Sequence, residues 1–367
     1  MKSIILITGS LIFSLWLTTF GRAAVLNVNQ LSIWAPNYQI DTRLDLAKKN
    51  ISSIANKTFN GLVYLQILHL WKNKLTELED PSLFSGLNSL RVLELDYNQL
   101  FSLDPNIFES LTNLEALWLD HNKLTTLDSS LFKSLTNLHT LGLSFNQLTA
   151  LDPSLFSSLT NLNSLFLHSN QLSGLDSALF ETLTELSKLW LDNNKLTSLD
   201  SSIFSSLSSL EYLYLHYNQL TELDPSLFEN LSDLKVLYLA ANELTTLIPS
   251  LFKSLSSLEA LWLYSNQLTS LDTSLFAHLS SLVTLDMGSN RLSSLDSSLL
   301  KKLPNLEILY VNNNQLISLE RLVFASLFNL KRVYLGNNPI SNLLPSYVLR
   351  LCSTNPSCQI ILGSYFQ

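Results

Sequence analysis

The sequence predicts an α/β solenoid of about thirteen coils, with a parallel β-sheet on the concave face and short helical or 3-10 turns on the convex face. An asparagine recurs every 24 residues, with one step of 25, and the pattern Leu-x-Leu-x-x-Asn-x-Leu returns around it. A phenylalanine recurs between successive asparagines. Fixed periods of this length are typical of stacked units that bury a common core only together.

Each repeated column has a physical reason. Leu-x-Leu alternates with period two, which predicts a short strand with its leucines pointing inward. The asparagine amide can pair with backbone groups of adjacent coils where the chain turns out of the strand. The phenylalanines should stack in the convex side of the core. An aspartate column before them, beginning at Asp104 and Asp128, should cap the short turns. A calcium ladder is the alternative for these aspartates.

The two ends of the chain differ from the repeats. Residues 1–23 have a basic start, an apolar stretch and small residues, which predict a signal peptide cleaved during export. Residues 24–42, with Trp34 and Ile40, should cover the first coil as a cap without cysteines. Repeats span 43–342, and residues 343–367 should form a short C-terminal cap. Its cysteines, Cys352 and Cys358, are the chain's only two, and export favours a disulfide between them.

Composition excludes several functions. The net charge of −8 and the absence of a basic stripe argue against nucleic acid. No stretch after the signal peptide is apolar enough to span a membrane. No phosphate loop, paired-carboxylate constellation or metal-ligand spacing stands clear of the repeat, so we predict neither an enzyme nor a cofactor nor a metal site. The predicted product is secreted, and its oligomeric state is left open.

The residues that point outward on the concave face predict the binding site. At the position between the two strand leucines, eight of thirteen residues are aromatic. Large exposed aromatic patches usually mark contact surfaces, and Tyr and Trp are enriched at binding hot spots. Gly142 should interrupt the row. The predicted partner-binding residues are Trp71, Trp118, Phe166, Trp190, Tyr214, Tyr238, Trp262, Tyr310 and Tyr334, with His168, Asp192, His216, Tyr217 and Tyr264 beside them.

The consensus from Leu44 to Asn342 resembles the 24-residue extracellular class of leucine-rich repeats. That class includes Toll-like receptors, Slit-type guidance proteins, small leucine-rich proteoglycans and lamprey-type variable lymphocyte receptors. The resemblance implies a right-handed horseshoe that binds an extracellular or cell-surface protein, in adhesion, guidance or innate immunity. The caps depart from the class, whose N-terminal cap usually carries four cysteines.

Two alternatives to protein binding remain at this stage. Aromatic faces beside acids also suit a glycan, and the same face could hold the chain in an extracellular matrix. Flat, spaced rings would favour a glycan, and a continuous tight patch would favour a protein. Three sequons predict N-glycosylation at Asn50, Asn56 and Asn230.

Overall fold

The computed structural model describes residues 24–320, 323–324, 326–342 and 358–362. One parallel sheet of fourteen three-residue strands runs through this described part, which confirms the predicted solenoid of about thirteen coils and adds one strand. In spatial order these strands are β2 (Arg43–Asp45), β4 (Ile67–His69), β6 (Val92–Glu94), β8 (Ala116–Trp118), β9 (Thr140–Gly142), β10 (Ser164–Phe166), β11 (Lys188–Trp190), β12 (Tyr212–Tyr214), β13 (Val236–Tyr238), β14 (Ala260–Trp262), β15 (Thr284–Asp286), β16 (Ile308–Tyr310), β17 (Arg332–Tyr334) and β18 (Gln359–Ile361).

Two further pairs of short strands lie outside this sheet. They are β1 (Ala24–Leu26) with β3 (Ile51–Ile54), and β5 (Glu77–Leu78) with β7 (Ser102–Leu103). The main sheet keeps the repeat in register, since Leu165 pairs with Leu189 and Leu189 with Leu213. Equivalent side chains of successive coils therefore stand side by side, about 5 Å apart.

The asparagine column holds neighbouring coils together. Asn194 is 7% exposed. Its Nδ2 donates to the carbonyls of Leu167 and Leu191 at 3.0 and 3.1 Å, and its Oδ1 accepts from the N–H of Leu172 at 3.0 Å. The same bonds recur along the column from Asn73 to Asn338. One amide per coil thus satisfies backbone groups that would otherwise be buried without partners.

A left-handed residue precedes each of these asparagines. From Lys72 to Asn337 its φ lies between 50° and 56°, and it is never glycine. A non-glycine residue in this region costs about 1 kcal/mol or more, so the turn is imposed by the coil and not by local preference. The conformation places these side chains, among them Tyr97, His121 and Phe145, along one edge of the concave sheet.

The convex side is built on the phenylalanines and aspartates, as predicted. The rings from Phe59 to Phe276 are fully buried, and most neighbours stack with centroids 6.1–6.5 Å apart. Asp128 Oδ1 accepts from the N–H of Ser130 at 2.8 Å and from its hydroxyl. These bonds hold the pKa of Asp128 below its ordinary value. Most of these segments are single turns. On the convex side of the described residues only α2 (Ser297–Leu300), capped by Asp296, is an α-helix.

The N-terminal segment covers the first coil with a strand and a helix. β1 pairs with β3, and α1 (Val28–Trp34) begins at Asn27, whose side chain accepts from the N–H of Gln30. Leu26 and Leu31 are fully buried and Trp34 packs partly against the core. The prediction that Ile40 also covers the core is wrong, since it is 73% exposed. Leu26 and Leu31 hold the buried positions, and Ile40 lies in the turn after α1.

The C-terminal segment adds β18 beside β17, with Ile360 opposite Val333. A short 3-10 helix, Pro339–Asn342, follows the last repeat. Cys358 has no free thiol. Its predicted partner Cys352 lies outside the described residues, as does the predicted signal peptide, so both remain predictions. No helix within the described residues is long and apolar enough to cross a membrane.

Replacing Asn194 by Ala should lower the free energy of unfolding by about 2 kcal/mol, because it leaves buried carbonyls and an N–H without partners. Urea denaturation measures this. Asn193→Gly is the matched control, since Asn193 is exposed and has a φ of 53°, which glycine adopts without strain. Asn193→Ala would be a poor control, because alanine is strained there. Equal losses at both positions would contradict the role of the asparagine column.

Candidate functional site

Aromatic side chains between the strand leucines form a continuous stack, which we call the aromatic row. Ring centroids are 4.2 Å apart between Phe166 and Trp190, 5.2 Å between Trp190 and Tyr214, and 5.1 Å on to Tyr238 and to Trp262. Interplanar angles range from 4° to 21°. These distances match the spacing of about 5 Å between equivalent side chains of successive strands. Because the rings stack face to face, each half-buried ring presents its edge and not its face to solvent.

The aromatic row is not interrupted at Gly142, contrary to the sequence prediction. The Trp118 ring reaches across that coil and lies 5.5 Å from the Phe166 ring, tilted by 40°. A Cβ at Gly142 would lie 2.6 Å from Trp118 Cε3 and 1.9 Å from Asp120 Oδ2. Glycine is therefore what allows the indole and the carboxylate to occupy the space above its strand. The Trp118 ring therefore occupies the place in the row where Gly142 has no side chain.

At the C-terminal end the predicted exposure of the rings is wrong. Tyr310 and Tyr334 are only 8% and 5% exposed, and their rings stack at 4.3 Å. The reason is β18, which the repeat pattern does not foresee and which places Ile361 beside Tyr334. Trp262 continues the stack toward Tyr310 at 6.2 Å, across the coil of the fully buried Asp286. The accessible part of the row thus runs from Trp118 to Trp262.

Other predicted residues flank the row. Trp71 lies beneath two ammonium groups, since Nζ of Lys48 and of Lys72 are 4.5 and 5.1 Å from its ring centroid. Tyr264 meets Trp262 edge to face at 6.4 Å, and burial raises the pKa of Tyr264 to about 12. Tyr217 is 52% exposed at the sheet edge. The structure thus keeps these three residues on the concave side.

A second column, two residues after the aromatic row, is polar in six consecutive coils. We call it the polar row, and it comprises Asp96, Asp120, Ser144, His168, Asp192 and His216. Burial raises the pKa of Asp96 and of Asp192 to about 6 and raises that of Asp120. Burial lowers the pKa of His168, and that of His216 to about 4.

Within the polar row, His216 Nε2 lies 3.5 Å from Asp192 Oδ2, which by itself favours both charged forms. Burial outweighs this contact in both groups. At neutral pH the carboxylates of Asp96 and Asp192, with pKa values of about 6, are therefore mostly ionised, and His168 and His216 are neutral. Holding ionised carboxylates in such an environment costs stability, and perturbed groups of this kind cluster at functional sites.

A cavity of about 650 Å³ opens at the N-terminal half of the concave face. Trp118 and Phe166 line it from the aromatic row, and Asp96, Asp120 and His168 line it from the polar row. The left-handed residues Tyr97, His121 and Phe145 line it from the sheet edge, where they stack with centroids 4.0 and 4.1 Å apart. His69 and Glu94, bonded to each other, lie at its N-terminal end.

Most of this cavity was missed by the sequence analysis. Of its lining residues, only Trp71, Trp118, Phe166 and His168 are among the predicted binding residues. The signal that could have found it is the run of Asp and His in the polar row, where the later coils carry Ala240 and Gly288. No group of residues able to hold a metal ion occurs in the described part of the chain.

Two of the predicted glycosylation sites are exposed, Asn56 and Asn230, and Asn50 is partly buried. Asn230 Nδ2 donates to the carbonyl of Ser205 at 2.8 Å. Thr58, the hydroxyl residue of the second sequon, is 1% exposed and bonds to the carbonyl of Ala55. Modification at these three asparagines stays a prediction.

The leucine repeat agrees with the comparison to protein families. The leucine-rich-repeat family model matches in six overlapping blocks between residues 42 and 340. The chain therefore belongs to the leucine-rich-repeat family, whose domains are generally protein-binding scaffolds and not enzymes.

Solved structures with the same fold come from bacteria and animals. A leucine-rich-repeat protein of Leptospira interrogans is 31% identical with a TM-score of 0.74, over 87% of this chain and 81% of that one. An internalin of Listeria monocytogenes is 27% identical with a TM-score of 0.70, over 92% and 89%. Toll in the Drosophila Toll–Spätzle complex is 23% identical with a TM-score of 0.73, over 87% and 46%, and shows the fold alone.

Among curated proteins, Toll-like receptor 9 of Ovis aries is 37% identical over 65 residues, which span 18% of this chain and 6% of the receptor. Together the comparisons identify a protein with repeats of about 24 residues. They do not assign it to the extracellular class that the sequence resembles, because bacterial and animal proteins both match.

Replacing Gly142 by Ala should displace Trp118 and lower the free energy of unfolding by about 2 kcal/mol, as expected for overpacking. Near-UV circular dichroism reports the indole environment, and urea denaturation reports the stability. Gly174→Ala is the matched control, because nothing lies within 4 Å of its added Cβ. An unchanged spectrum in Gly142→Ala would show that Trp118 does not need this space.

Replacing Asp96 by Asn should raise the free energy of unfolding at pH 7.5 by about 1 kcal/mol. The pKa of Asp96 rises from 3.8 to about 6 on folding, so the folded protein binds the proton more tightly and loses stability as pH rises through that window. A pKa shift of this size corresponds to about 3 kcal/mol in the free energy of unfolding. Solvent screening at the partly exposed carboxylate reduces this contribution.

The gain from Asp96→Asn should disappear near pH 3, which lies below both 3.8 and 6, because the wild-type carboxyl is then protonated in both states. Urea denaturation at pH 7.5 and pH 3 measures the difference. Asp128→Asn is the control of opposite sign, because hydrogen bonds lower the pKa of Asp128 and its charge favours folding at neutral pH. An Asp96→Asn protein that is less stable at pH 7.5 would contradict the burial argument.

Proposed function

We propose that this chain is an exported recognition protein that binds a protein partner through the aromatic row. The observation that carries the proposal is the continuous face-to-face stack from Phe166 to Trp262. Stacking on both sides fixes each ring, so little side-chain entropy remains to be lost when a partner packs against the row. Rigid Trp and Tyr side chains with a polar tip are the typical anchors of protein interfaces.

The same stack disfavours a glycan on this surface. A sugar ring packs on the face of an aromatic side chain, but the Trp190 and Tyr214 rings are stacked with their centroids 5.2 Å apart, so each ring has a neighbour on one face. Trp71, which lies apart from the stack, carries two ammonium groups over its ring. The arrangement is the continuous tight patch expected for a protein partner.

Export is part of the proposal and rests on the sequence of residues 1–23. The disulfide between Cys352 and Cys358 belongs with it, because an oxidising compartment favours pairing. Glycans at Asn50, Asn56 and Asn230 would follow from export through a eukaryotic secretory route. Toll bound to Spätzle and the LRIM1/APL1C complex are leucine-rich-repeat structures solved with protein partners, which supports a protein partner here.

One screen tests the class of partner. The purified protein is presented to a glycan array and to a library of extracellular proteins, and we expect a specific signal only in the protein library. A specific glycan signal that depends on the aromatic row would contradict the proposal.

With that partner, Trp190→Ala and Trp262→Ala should each weaken binding by about 30-fold, of the order of a central hot spot. Surface plasmon resonance measures the affinity, and thermal unfolding shows whether the fold is kept. Tyr64→Ala is the control, since Tyr64 is 63% exposed and outside the concave sheet. Normal binding by both Trp variants would exclude the aromatic row as the interface.

A further inference from the structure

The cavity contains an almost buried carboxylate oxygen without a hydrogen-bond partner. Asp120 is 8% exposed, and its Oδ1 accepts from the N–H of Ser144 at 2.8 Å and from the Ser144 hydroxyl. Its Oδ2 has no partner among the described residues. That oxygen lies over Gly142, where a Cβ would come within 1.9 Å of it. Gly142 holds an outward-facing strand position, so this buried oxygen lies on the concave side of the sheet, where Asp120 lines the cavity, and not in the leucine core.

A second polar atom at the cavity is also buried without a partner. His69 is 8% exposed, and its Nδ1 bonds to Glu94 Oε2. Nε2 also has no partner in the described part of the chain. The nearby carboxylate of Asp96 adds further acceptors. The cavity therefore offers several acceptors and calls for a ligand with several N–H donors.

Local charge favours a cation. Glu94, Asp96 and Asp120 line the cavity, and their charge exceeds that of Lys48 and Lys72, whose ammonium groups lie over Trp71 and Tyr97. The walls are aromatic, with Trp118 and Phe166 on one side and Tyr97 and Phe145 on the other. A planar guanidinium combines several donors with faces that stack on aromatic rings, whereas an ammonium is a compact, strongly hydrated point charge.

We propose that this cavity binds an arginine side chain of the protein partner, with Asp120 and Asp96 accepting from the guanidinium. The inference rests on the proposed function and names the chemistry that the partner contributes. It divides the concave face into two parts, an aromatic row that supplies contact area and a cavity that selects a basic residue. Desolvated carboxylates of this kind give specificity, because a partner without the cation leaves them unpaired.

The test uses the full protein and a small probe, so that it does not depend on identifying the partner. The probe is N-acetyl-L-arginine N-methylamide, and its matched control is the citrulline analogue, which has the same shape without the charge. Ligand-observed NMR at pH 7.5 should give a Kd of about 1 mM for the arginine probe. Binding of the citrulline probe should be at least tenfold weaker. No binding of the arginine probe at 10 mM, or equal binding of both, would overturn the proposal.

Variants locate the site. Asp120→Asn retains an oxygen that can accept from Ser144 but removes the charge. It should weaken binding of the arginine probe about tenfold. Asp96→Asn also removes a buried charge and should weaken binding of the arginine probe by a similar factor. Asp192→Asn is the matched control, because Asp192 belongs to the same polar row, is 6% exposed and does not line the cavity. Equal loss in Asp192→Asn and Asp120→Asn would place the binding elsewhere.

The probe also separates this inference from the proposed function. Trp190 and Trp262 do not line the cavity, so Trp262→Ala should leave probe binding unchanged whatever it does to the partner. If probe binding needs Asp120 but partner binding does not need the aromatic row, the arginine proposal for the cavity stands and the proposed function of the aromatic row is wrong. If the probe does not bind but partner binding needs the aromatic row, the arginine proposal is wrong and the proposed function of the aromatic row stands.

Discussion

The fold depends on one buried amide per coil. A 24-residue coil must leave its strand, turn and return, and each turn takes backbone groups away from water. Each asparagine side chain satisfies three of these groups. Asn194 bonds to a carbonyl of its own coil, and to a carbonyl and the N–H of Leu172 in the preceding coil. Because the same three bonds are repeated, every coil is held at the same height and rotation relative to the last.

That constraint also generates the functional surface. When coils are stacked in exact register, a residue type repeated in one column becomes a stack in space. Phe rings form one stack in the core at about 6.3 Å, and Trp and Tyr rings form another on the concave face at about 5.1 Å. The turn adds a third, because the left-handed residue before each asparagine sets Tyr97, His121 and Phe145 on the sheet edge.

The sequence predicts the features that follow from period alone. The leucine strands, the asparagine bonds, the buried phenylalanines and the spacing of the aromatic row all translate directly from column to structure. Prediction fails where a side chain leaves its own coil. Trp118 crosses Gly142 to reach Phe166, and this depends on a side-chain direction that no period encodes. It also fails at the ends, where β18 buries Tyr334 and where Ile40 turns outward.

The two parts of the concave face differ in their effect on the stability of the fold. The aromatic row contributes to stability, because each ring shields its neighbours. The polar row opposes folding at neutral pH, because burial raises the pKa of Asp96 and of Asp192 to about 6. Buried charges of one sign are tolerable where a scaffold has stability to spare, and a continuous leucine core with a hydrogen-bonded turn in every coil supplies it. The carboxylates of Asp96 and Asp120 line a solvent-facing cavity and lie outside the leucine core, so their place there is best explained by a charge that a partner brings.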